Sequence, residues 1–205
     1  MTPGYWRDAK AALARRDAVL RKLIKSYPDA SLKTRGDAFQ TLARSIVGQQ
    51  ISVKAAQSVW NRFAECAGKV TPARIGAIPD EKMRACGLSG MKVAYIKDLA
   101  ARFDSGLIRP QRWQRMDDDA VIEDLVQVKG IGRWSAEMFL IFHMMRPDVL
   151  PVGDLGLQRA MERLYNDGDD LTRDEMREIG APWRPWSSVA TWYLWRSLDP
   201  LPVEY

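Results

Sequence analysis

The sequence predicts an all-α protein. Apolar residues recur at helical spacing in segment after segment, and no stretch alternates convincingly with the period of two that a strand requires. No Asn-Gly or Asp-Gly pair lies between β-branched runs, as it would in a β-hairpin. The pair Asp167-Gly168 follows helical sequence and is interpreted as a helix end. We therefore expect about nine or ten helices joined by short connections.

Capping residues locate the helices along the chain. Asp37 is expected to cap one helix and Ser52 to begin the next, which Gly68 ends. Thr71 followed by Pro72 is typical of a cap with proline at the first helical position. The remaining predicted helices lie in IPDEKMRACGLSG, which ends at Gly87, and in MKVAYIKDLAARF, DDAVIEDLVQV, GRWSAEMFLIFHMM, DLGLQRAMERLY, TRDEMREIG and SSVATWYLWRSL.

The composition is that of a folded globular protein. The chain has 205 residues, of which 46% are hydrophobic and 28% charged, and this length suits one large helical domain or two small lobes. The longest apolar run, MFLIFHMM, is far shorter than the roughly 20 residues that span a bilayer, and the N-terminal stretch lacks the apolar core of a secretory signal. We expect a cytoplasmic protein that does not associate with membranes.

The small numbers of cysteines and histidines argue against disulfide, metal-cluster and histidine-dependent catalytic sites. The only cysteines, Cys66 and Cys86, are too few for a disulfide framework or for a four-cysteine zinc or iron–sulfur site. The sole histidine, His143, lies in an apolar predicted helix and is interpreted as structural rather than catalytic.

The charge balance suits a polyanionic partner without requiring one. The net charge is +5 and the sequence pI about 9.3. Basic residues are spread along the chain, whereas MDDDAVIED is a local acidic patch, which is typical of a helix start because carboxylates favour the positive end of the helix dipole.

Two glycines lie between predicted helices in VKGIGRWSAEMFLIF, residues 128–142. The chain must reverse there within a few residues, and Gly130 and Gly132 permit the positive φ values that a tight turn needs. The turn would leave amide groups at the start of the next helix that can bind an anion such as phosphate. A plain helix–helix turn with glycine caps is the alternative interpretation.

An aspartate follows a Gly/Pro-rich approach in VLPVGDLGLQRAMERLY. Asp154 precedes a predicted helix, so it fits an N-cap, a role that aspartate fills well. It equally fits a carboxylate presented at the mouth of a cleft.

The order of these parts resembles a known signature. LVQVKGIGRWSAE, a helix, a Gly/Pro-rich loop and then Asp154 resemble the helix-hairpin-helix and Gly/Pro-Asp signature of the DNA glycosylase superfamily. SIVGQQISVKAAQSVW, GLSGMKVAYIKDLA and WRPWSSVATWYLW resemble its 3-methyladenine DNA glycosylase II branch, and the resemblance covers roughly residues 30–197. It implies one glycosylase domain over residues 1–205 in the compact form of the family, with two helical lobes flanking an active-site cleft and the helix-hairpin-helix at about 118–142.

The resemblance also implies an activity. Enzymes of this branch act in base excision repair, flipping alkylated purines such as 3-methyladenine and 7-methylguanine out of double-stranded DNA and hydrolysing the N-glycosidic bond. Relatives that also cut the backbone have a lysine where this chain has Trp134, so the expected enzyme is a monofunctional hydrolase without lyase activity. We expect a monomer without an iron–sulfur cluster, associated with the nucleoid if the source is bacterial.

The chemistry of the reaction assigns roles to particular residues. Asp154 is the catalytic candidate, because a carboxylate stabilises an oxocarbenium-like sugar and orients the attacking water. A cationic alkylated purine favours an electron-rich aromatic face of the kind that Trp134, Trp192 and Trp195 offer. We expect these residues in the base pocket, with Met138 one helical turn beyond Trp134, and the resemblance favours Trp134 and Trp195. The alternative is that the tryptophans belong to the core, an interpretation that is equally well supported for Trp192.

The resemblance also places the residues that contact the DNA. Gln50, in GQQIS, matches the wedge that fills the gap left by a flipped base, although it equally suits a solvated or helix-terminal glutamine. The family's hairpin binds DNA phosphate and, through backbone carbonyls, a Na⁺ or K⁺ ion. The matching phosphate-binding residues are Lys129, Gly130, Ile131, Gly132 and Arg133, and the matching carbonyls are those of Val126, Val128 and Ile131.

Two other functions fit parts of the sequence. A non-catalytic helix-hairpin-helix DNA-binding module explains the hairpin and the charge, but it does not need Asp154 beside tryptophans. A glycosylase for other damaged or mismatched bases also fits, since Trp134 at the lysine position disfavours only the lyase members.

Overall fold

The structure, a computed structural model, describes residues 2–29, 31–32 and 37–198. These residues form helices and connecting segments without a strand, which confirms the prediction of an all-α fold. Thirteen α-helices and one 3-10 turn lie in the described ranges, more than the nine or ten expected. The excess includes the two N-terminal helices and the four-residue helix at Pro110–Trp113, none of which was predicted.

The helices are α1 (Trp6–Arg16), α2 (Ala18–Ser26), α3 (Ala38–Gly48), α4 (Val53–Ala67), α5 (Pro72–Ala77), α6 (Asp80–Ala85), α7 (Gly90–Asp104), α8 (Pro110–Trp113), α9 (Asp118–Val126), α10 (Arg133–Phe142), α11 (Leu155–Tyr165), α12 (Arg173–Gly180) and α13 (Ser187–Leu198), with the 3-10 turn at Ala181–Trp183. No helix in the described part of the chain is long and apolar enough to cross a membrane.

The predicted helix caps are confirmed where their side chains bond to the backbone. A carboxylate oxygen of Asp37 accepts the Gln40 amide at 2.9 Å, and the Ser52 hydroxyl accepts the Ala55 amide at 3.3 Å. Gly68 ends α4 with a φ of 71°. Because these side-chain bonds reach only three residues along the chain, the local sequence is sufficient to predict them.

One predicted helix is shorter than expected. Helix α10 ends at Phe142, so His143 lies just beyond the helix rather than on it. Met145 has a left-handed φ of 56°, and the Arg146 amide donates to the Leu140 carbonyl at 2.9 Å. This bond satisfies a carbonyl in the last turn of α10, where carbonyls lack partners within the helix.

The described chain divides into two compact units. The terminal unit comprises the described residues of Met1–Thr34 and Leu140–Tyr205, and the central unit comprises those of Arg35–Phe139. The division falls inside α10, between Phe139 and Leu140.

Aromatic side chains and one aspartate organise the terminal unit. The ring of Trp6 meets Trp192 edge-on at 5.3 Å between centroids, an arrangement that aromatic quadrupoles favour. Asp17 caps α2 by accepting the amides of Val19 and Leu20, and its other oxygen accepts the Tyr165 hydroxyl at 2.9 Å and the Trp183 indole N–H at 3.0 Å. One carboxylate thereby ties the start of α2 to α11 and to the 3-10 turn.

Helix α7 organises the central unit by packing against α3, α5 and α6. An edge-to-face series of rings runs through its core, from Phe39 to Phe103 to Trp113 to Phe139, with centroids 5.3 to 6.4 Å apart. The Trp113 indole donates to Asp124 at 2.6 Å, so its polar nitrogen is satisfied although the ring is buried.

Candidate active site

The sequence-predicted site residues fall into two groups, one in each unit. The terminal unit contains Asp154, Trp192 and Trp195. The central unit contains Gln50, Trp134, Met138 and the hairpin residues 126–133.

Asp154 is a buried carboxylate with two donors on one oxygen. Its Oδ1 accepts the Leu157 amide at 2.6 Å and the Trp195 indole N–H at 2.7 Å, and the residue is 9% exposed. The first bond makes Asp154 the N-cap of α11, so the capping interpretation is confirmed. The second bond is not needed for a cap. It fixes the orientation of a charged group that is costly to bury without partners.

A glycine missed at the level of sequence allows this arrangement. A Cβ added to Gly156 would lie 3.1 Å from Asp154 Oδ1 and 3.3 Å from Trp195 Cδ1. Glycine at the second position of α11 therefore gives the indole room to approach the carboxylate. The available signal was its position, since glycine inside a helix is unfavourable and often marks a close approach.

The two tryptophans of α13 differ in their surroundings. The ring of Trp195 stacks on Phe142 at 5.7 Å with an interplanar angle of 12°, and its N–H is bonded to Asp154. Trp192 is 5% exposed and lies between Trp6 and Tyr193, with the Arg196 guanidinium 5.6 Å from its ring centre. These contacts support the core interpretation of Trp192 and give its predicted place in the base pocket no support.

The two hairpin glycines have different physical requirements. Gly130 has a φ of +82°, and a Cβ added there would lie 2.2 Å from Cδ2 of Tyr95. Gly132 does not have a positive φ, and an added Cβ would meet no atom within 4 Å. The expectation that both glycines supply positive φ values is therefore wrong for Gly132, because the turn is closed at Gly130 alone.

Two of the hairpin amides are bonded inside the protein. The Lys129 amide donates to Asp98 Oδ2 at 3.0 Å, and the Ile131 amide donates to the Val128 carbonyl at 3.1 Å. Although partial burial of Asp98 opposes its ionisation, the Lys129 amide and Arg102 hold the pKa of this carboxyl below its ordinary value. A phosphate role for the backbone of residues 129–133 therefore concentrates on the amides of Gly130, Gly132 and Arg133.

The guanidinium of Arg133 is paired with carboxylates. It donates to Asp119 at 3.0 Å and to buried Glu137 at 3.1 Å. These bonds, with the nearby negative charges, raise the pKa of Arg133, so the group stays charged. Its predicted phosphate contact stays a prediction, and the contact would have to compete with two carboxylates.

The remaining predicted residues of the central unit differ in exposure. Trp134 is 37% exposed in the first turn of α10, whereas Met138, one turn later, is only 4% exposed. Gln50 is exposed in the loop between α3 and α4 and has a left-handed φ of 58°. For a residue other than glycine this conformation costs roughly 1–2 kcal/mol, and strain of this kind is concentrated at functional positions.

Comparison with known proteins shows what this chain is similar to. Residues 43–185 match the family described as HhH-GPD superfamily base excision DNA repair protein. The DNA-3-methyladenine glycosylase 1 of Schizosaccharomyces pombe is 37% identical over 186 residues, which are 87% of this chain and 80% of that protein.

Two solved structures superpose on this chain over most of their length. The DNA-3-methyladenine glycosidase of Bacillus halodurans superposes with a TM-score of 0.86 at 34% identity, covering 96% of this chain and 92% of that chain. The 3-methyladenine DNA glycosylase of Schizosaccharomyces pombe, in complex with abasic DNA, superposes with a TM-score of 0.80 at 31% identity and covers 97% of this chain and 100% of that chain.

Proposed function

The chain belongs to the HhH-GPD superfamily of base excision DNA repair proteins, and we propose that it hydrolyses the N-glycosidic bond of alkylated purines in double-stranded DNA. It is a DNA glycosylase, as its relatives indicate, and a non-catalytic DNA-binding module is not favoured. The proposal adds the substrate class, the residues and the absence of lyase chemistry.

The observation that supports the proposal best is the bond between Trp195 and Asp154. An N-cap needs only the Leu157 amide, yet the carboxylate is also held by an indole N–H at 2.7 Å. A negative charge fixed in a poorly solvated place stabilises the positive charge that develops on the sugar as the base departs. The same carboxylate can orient the water that attacks the sugar carbon.

The substrate itself supplies much of the driving force. A purine alkylated at N3 or N7 is cationic and leaves as a neutral base, so the reaction needs no strong general acid. An exposed aromatic face attracts such a cation by about 0.5–2 kcal/mol. Trp134, which is exposed on the first turn of α10, is the aromatic residue that we assign to this contact.

The proposed hairpin cation fits the donor chemistry of the turn. The carbonyl oxygens of Val126, Val128 and Ile131 are neutral, hard ligands of the kind that hold a monovalent Na⁺ or K⁺. The Val128 carbonyl also accepts the Ile131 amide, which fixes its direction in the turn. A bound cation would supply positive charge beside the DNA phosphate that the Gly130 and Gly132 amides contact.

The first prediction concerns the products. We expect the protein to release 3-methyladenine and 7-methylpurines from methylated duplex DNA and to leave an abasic strand uncut, because Trp134 provides no amine for a Schiff base. Chromatography of the released bases and strand analysis on a denaturing gel measure both results. Borohydride trapping of a covalent protein–DNA adduct would contradict the assignment of a hydrolase without lyase activity.

The second prediction concerns the indole N–H. Trp195→Phe keeps an aromatic ring against Phe142 but removes the donor to Asp154. We expect single-turnover excision to slow about tenfold or more, because a hydrogen bond to a charged group contributes about 1.5–3 kcal/mol. Trp192→Phe is the matched control on the same helix, with similar loss of ring area in the core. If the two variants are equally stable and excise at equal rates, the Trp195 N–H does not contribute to catalysis by positioning Asp154.

A further inference from the structure

Two side chains of the central unit hold the loop that contains Gln50. Lys92, on α7, donates from Nζ to the carbonyls of Val47 and Gln49, both at 2.7 Å. Gln49 donates from Nε2 to the carbonyl of Gly130, also at 2.7 Å. We call Lys92 and Gln49 the wedge bracket, because their side-chain bonds connect the loop that contains exposed Gln50 to helix α7 and to the hairpin.

Lys92 stabilises the end of helix α3. The carbonyls in the last turn of a helix lack partners within the helix, and a cation there also complements the helix dipole. Lys92 satisfies one such carbonyl, that of Val47, and one beyond the helix end, that of Gln49. Burial lowers the pKa of the Lys92 ammonium, because its charged form loses solvation there. The two carbonyls that accept its hydrogen bonds replace part of the lost water contacts.

Gln49 links this loop to the hairpin. The residues that it joins are 81 positions apart in the sequence, and its acceptor is the carbonyl of the glycine whose φ closes the turn. The loop with the strained residue and the proposed phosphate-binding turn are therefore connected through one side chain. A displacement of the Gln49 backbone, and of Gln50 with it, relative to Gly130 has to break this bond or change the side-chain conformation of Gln49.

We propose that Lys92 and Gln49 are positioning residues that hold Gln50 in its left-handed conformation at a fixed distance from the hairpin, so that phosphate binding and insertion of the wedge occur together. The inference rests on the proposed function, since it assumes that a base leaves the duplex. It assigns a role to two residues for which the sequence motifs gave none.

The physical reason is pre-organisation. Extruding a base costs a few kcal/mol of stacking and pairing, and a side chain that enters the gap recovers part of this cost. A loop free to relax would have to be ordered during the same event, which would reduce the recovered energy. Loss of the bracket should therefore affect excision from stable pairs more than excision from pairs that are already weak.

Lys97 provides a matched control on the same helix. Its Nζ also donates to two carbonyls, those of Gly76 and Ile78, at the end of helix α5. Lys97→Met removes one positive charge and two bonds to carbonyls, as Lys92→Met does, but at a loop without a predicted DNA contact. It also removes an ion pair with exposed Asp80 at 3.7 Å, which contributes little to stability. If Lys92 has only a structural role, Lys92→Met and Lys97→Met should have the same effect on excision from matched and mismatched pairs.

The test compares the rate of single-turnover release of one alkylated purine from a matched pair with the rate from a mismatched pair. We expect Lys92→Met and Gln49→Leu to increase the preference for the mismatched pair several-fold, and Lys97→Met to leave it unchanged. Gln50→Ala should increase it as well, because the wedge itself is lost. In a Gln50→Ala background Lys92→Met should add less than twofold, since residues that act as one unit are not additive.

The inference is overturned if Lys92→Met and Lys97→Met change the preference equally, or if the Lys92→Met effect multiplies fully with that of Gln50→Ala. Gln49→Leu decides the question if Lys92→Met does not fold. Fluorescence of 2-aminopurine beside the lesion reports unstacking without chemistry. A wild-type protein that unstacks the duplex but releases no base would contradict the proposed function, while loss of unstacking in Gln49→Leu would still support the bracket.

Discussion

Asp154→Asn is expected to give a folded protein that binds DNA and whose single-turnover excision rate is lower on the order of 100- to 1,000-fold, the range found when one electrostatic contact to a transition state is removed. The substitution keeps the shape of the side chain and removes its negative charge. If the charge stabilises the oxocarbenium-like state, the loss appears in the chemical step and not in binding.

The fold should survive because both bonds to Asp154 Oδ1 can be kept. The amide oxygen of asparagine can accept the Leu157 amide and the Trp195 indole N–H, and asparagine caps a helix about as well as aspartate. Duplex affinity at fixed salt should be equal or slightly higher, since a negative charge near DNA is removed.

Asp117→Asn is the control for capping alone. Asp117 is exposed and caps α9 by accepting the Ala120 amide at 2.8 Å, so its substitution should change neither stability nor the excision rate by much. Base release, duplex affinity and thermal stability are measured on the same preparations. A stable Asp154→Asn protein that excises at the wild-type rate would remove Asp154 from catalysis, and one that unfolds would leave it only the capping role.

Gly130→Ala is expected to destabilise the protein by about 2–4 kcal/mol, the combined cost of left-handed backbone in alanine and of overpacking. The new methyl group would lie 2.2 Å from Cδ2 of Tyr95, and φ at this position is +82°. Relief requires either the Tyr95 ring or the hairpin to move, and a shift of the hairpin would also break the Gln49 bond to the Gly130 carbonyl. Affinity for DNA should therefore fall together with stability.

Gly132→Ala separates folding from DNA contact. Its added methyl group meets no protein atom within 4 Å, and its φ is not positive. We expect nearly unchanged stability but weaker duplex binding, because the methyl group would occupy space through which a phosphate approaches the amide. Denaturant unfolding and duplex affinity at fixed salt measure the two effects. The prediction for Gly130→Ala would be contradicted if that variant were as stable as the wild type, because the Tyr95 ring would then have moved aside at little cost.

Local capping made the helices predictable. The caps at Asp37, Ser52 and Asp154 depend on bonds to amides three residues away, so a short stretch of sequence contains both partners. Short or marginal helices were missed, as at Pro110–Trp113, because four residues are too few to display a helical period.

Partners that are distant in sequence were not predictable from spacing. Nothing in the spacing of Trp192 and Trp195 on α13 distinguishes the tryptophan that packs against Trp6 from the one that bonds to Asp154. The same holds for Lys92 and Gln49, whose acceptors are backbone carbonyls and therefore leave no side-chain pattern to recognise.

The sequence by itself determined the fold class, most helix limits, the family resemblance and the candidate carboxylate, because helix caps, apolar periodicity and ordered motifs are local properties of the chain. Only the tertiary structure decided which hairpin glycine has a positive φ and a crowded Cβ position, which amides of the turn are already bonded, and which tryptophan donates to Asp154. These three properties depend on atoms that packing brings within a few ångströms of each other. The Tyr95 ring leaves no room for a side chain at Gly130, and the Asp98 carboxylate already accepts the Lys129 amide.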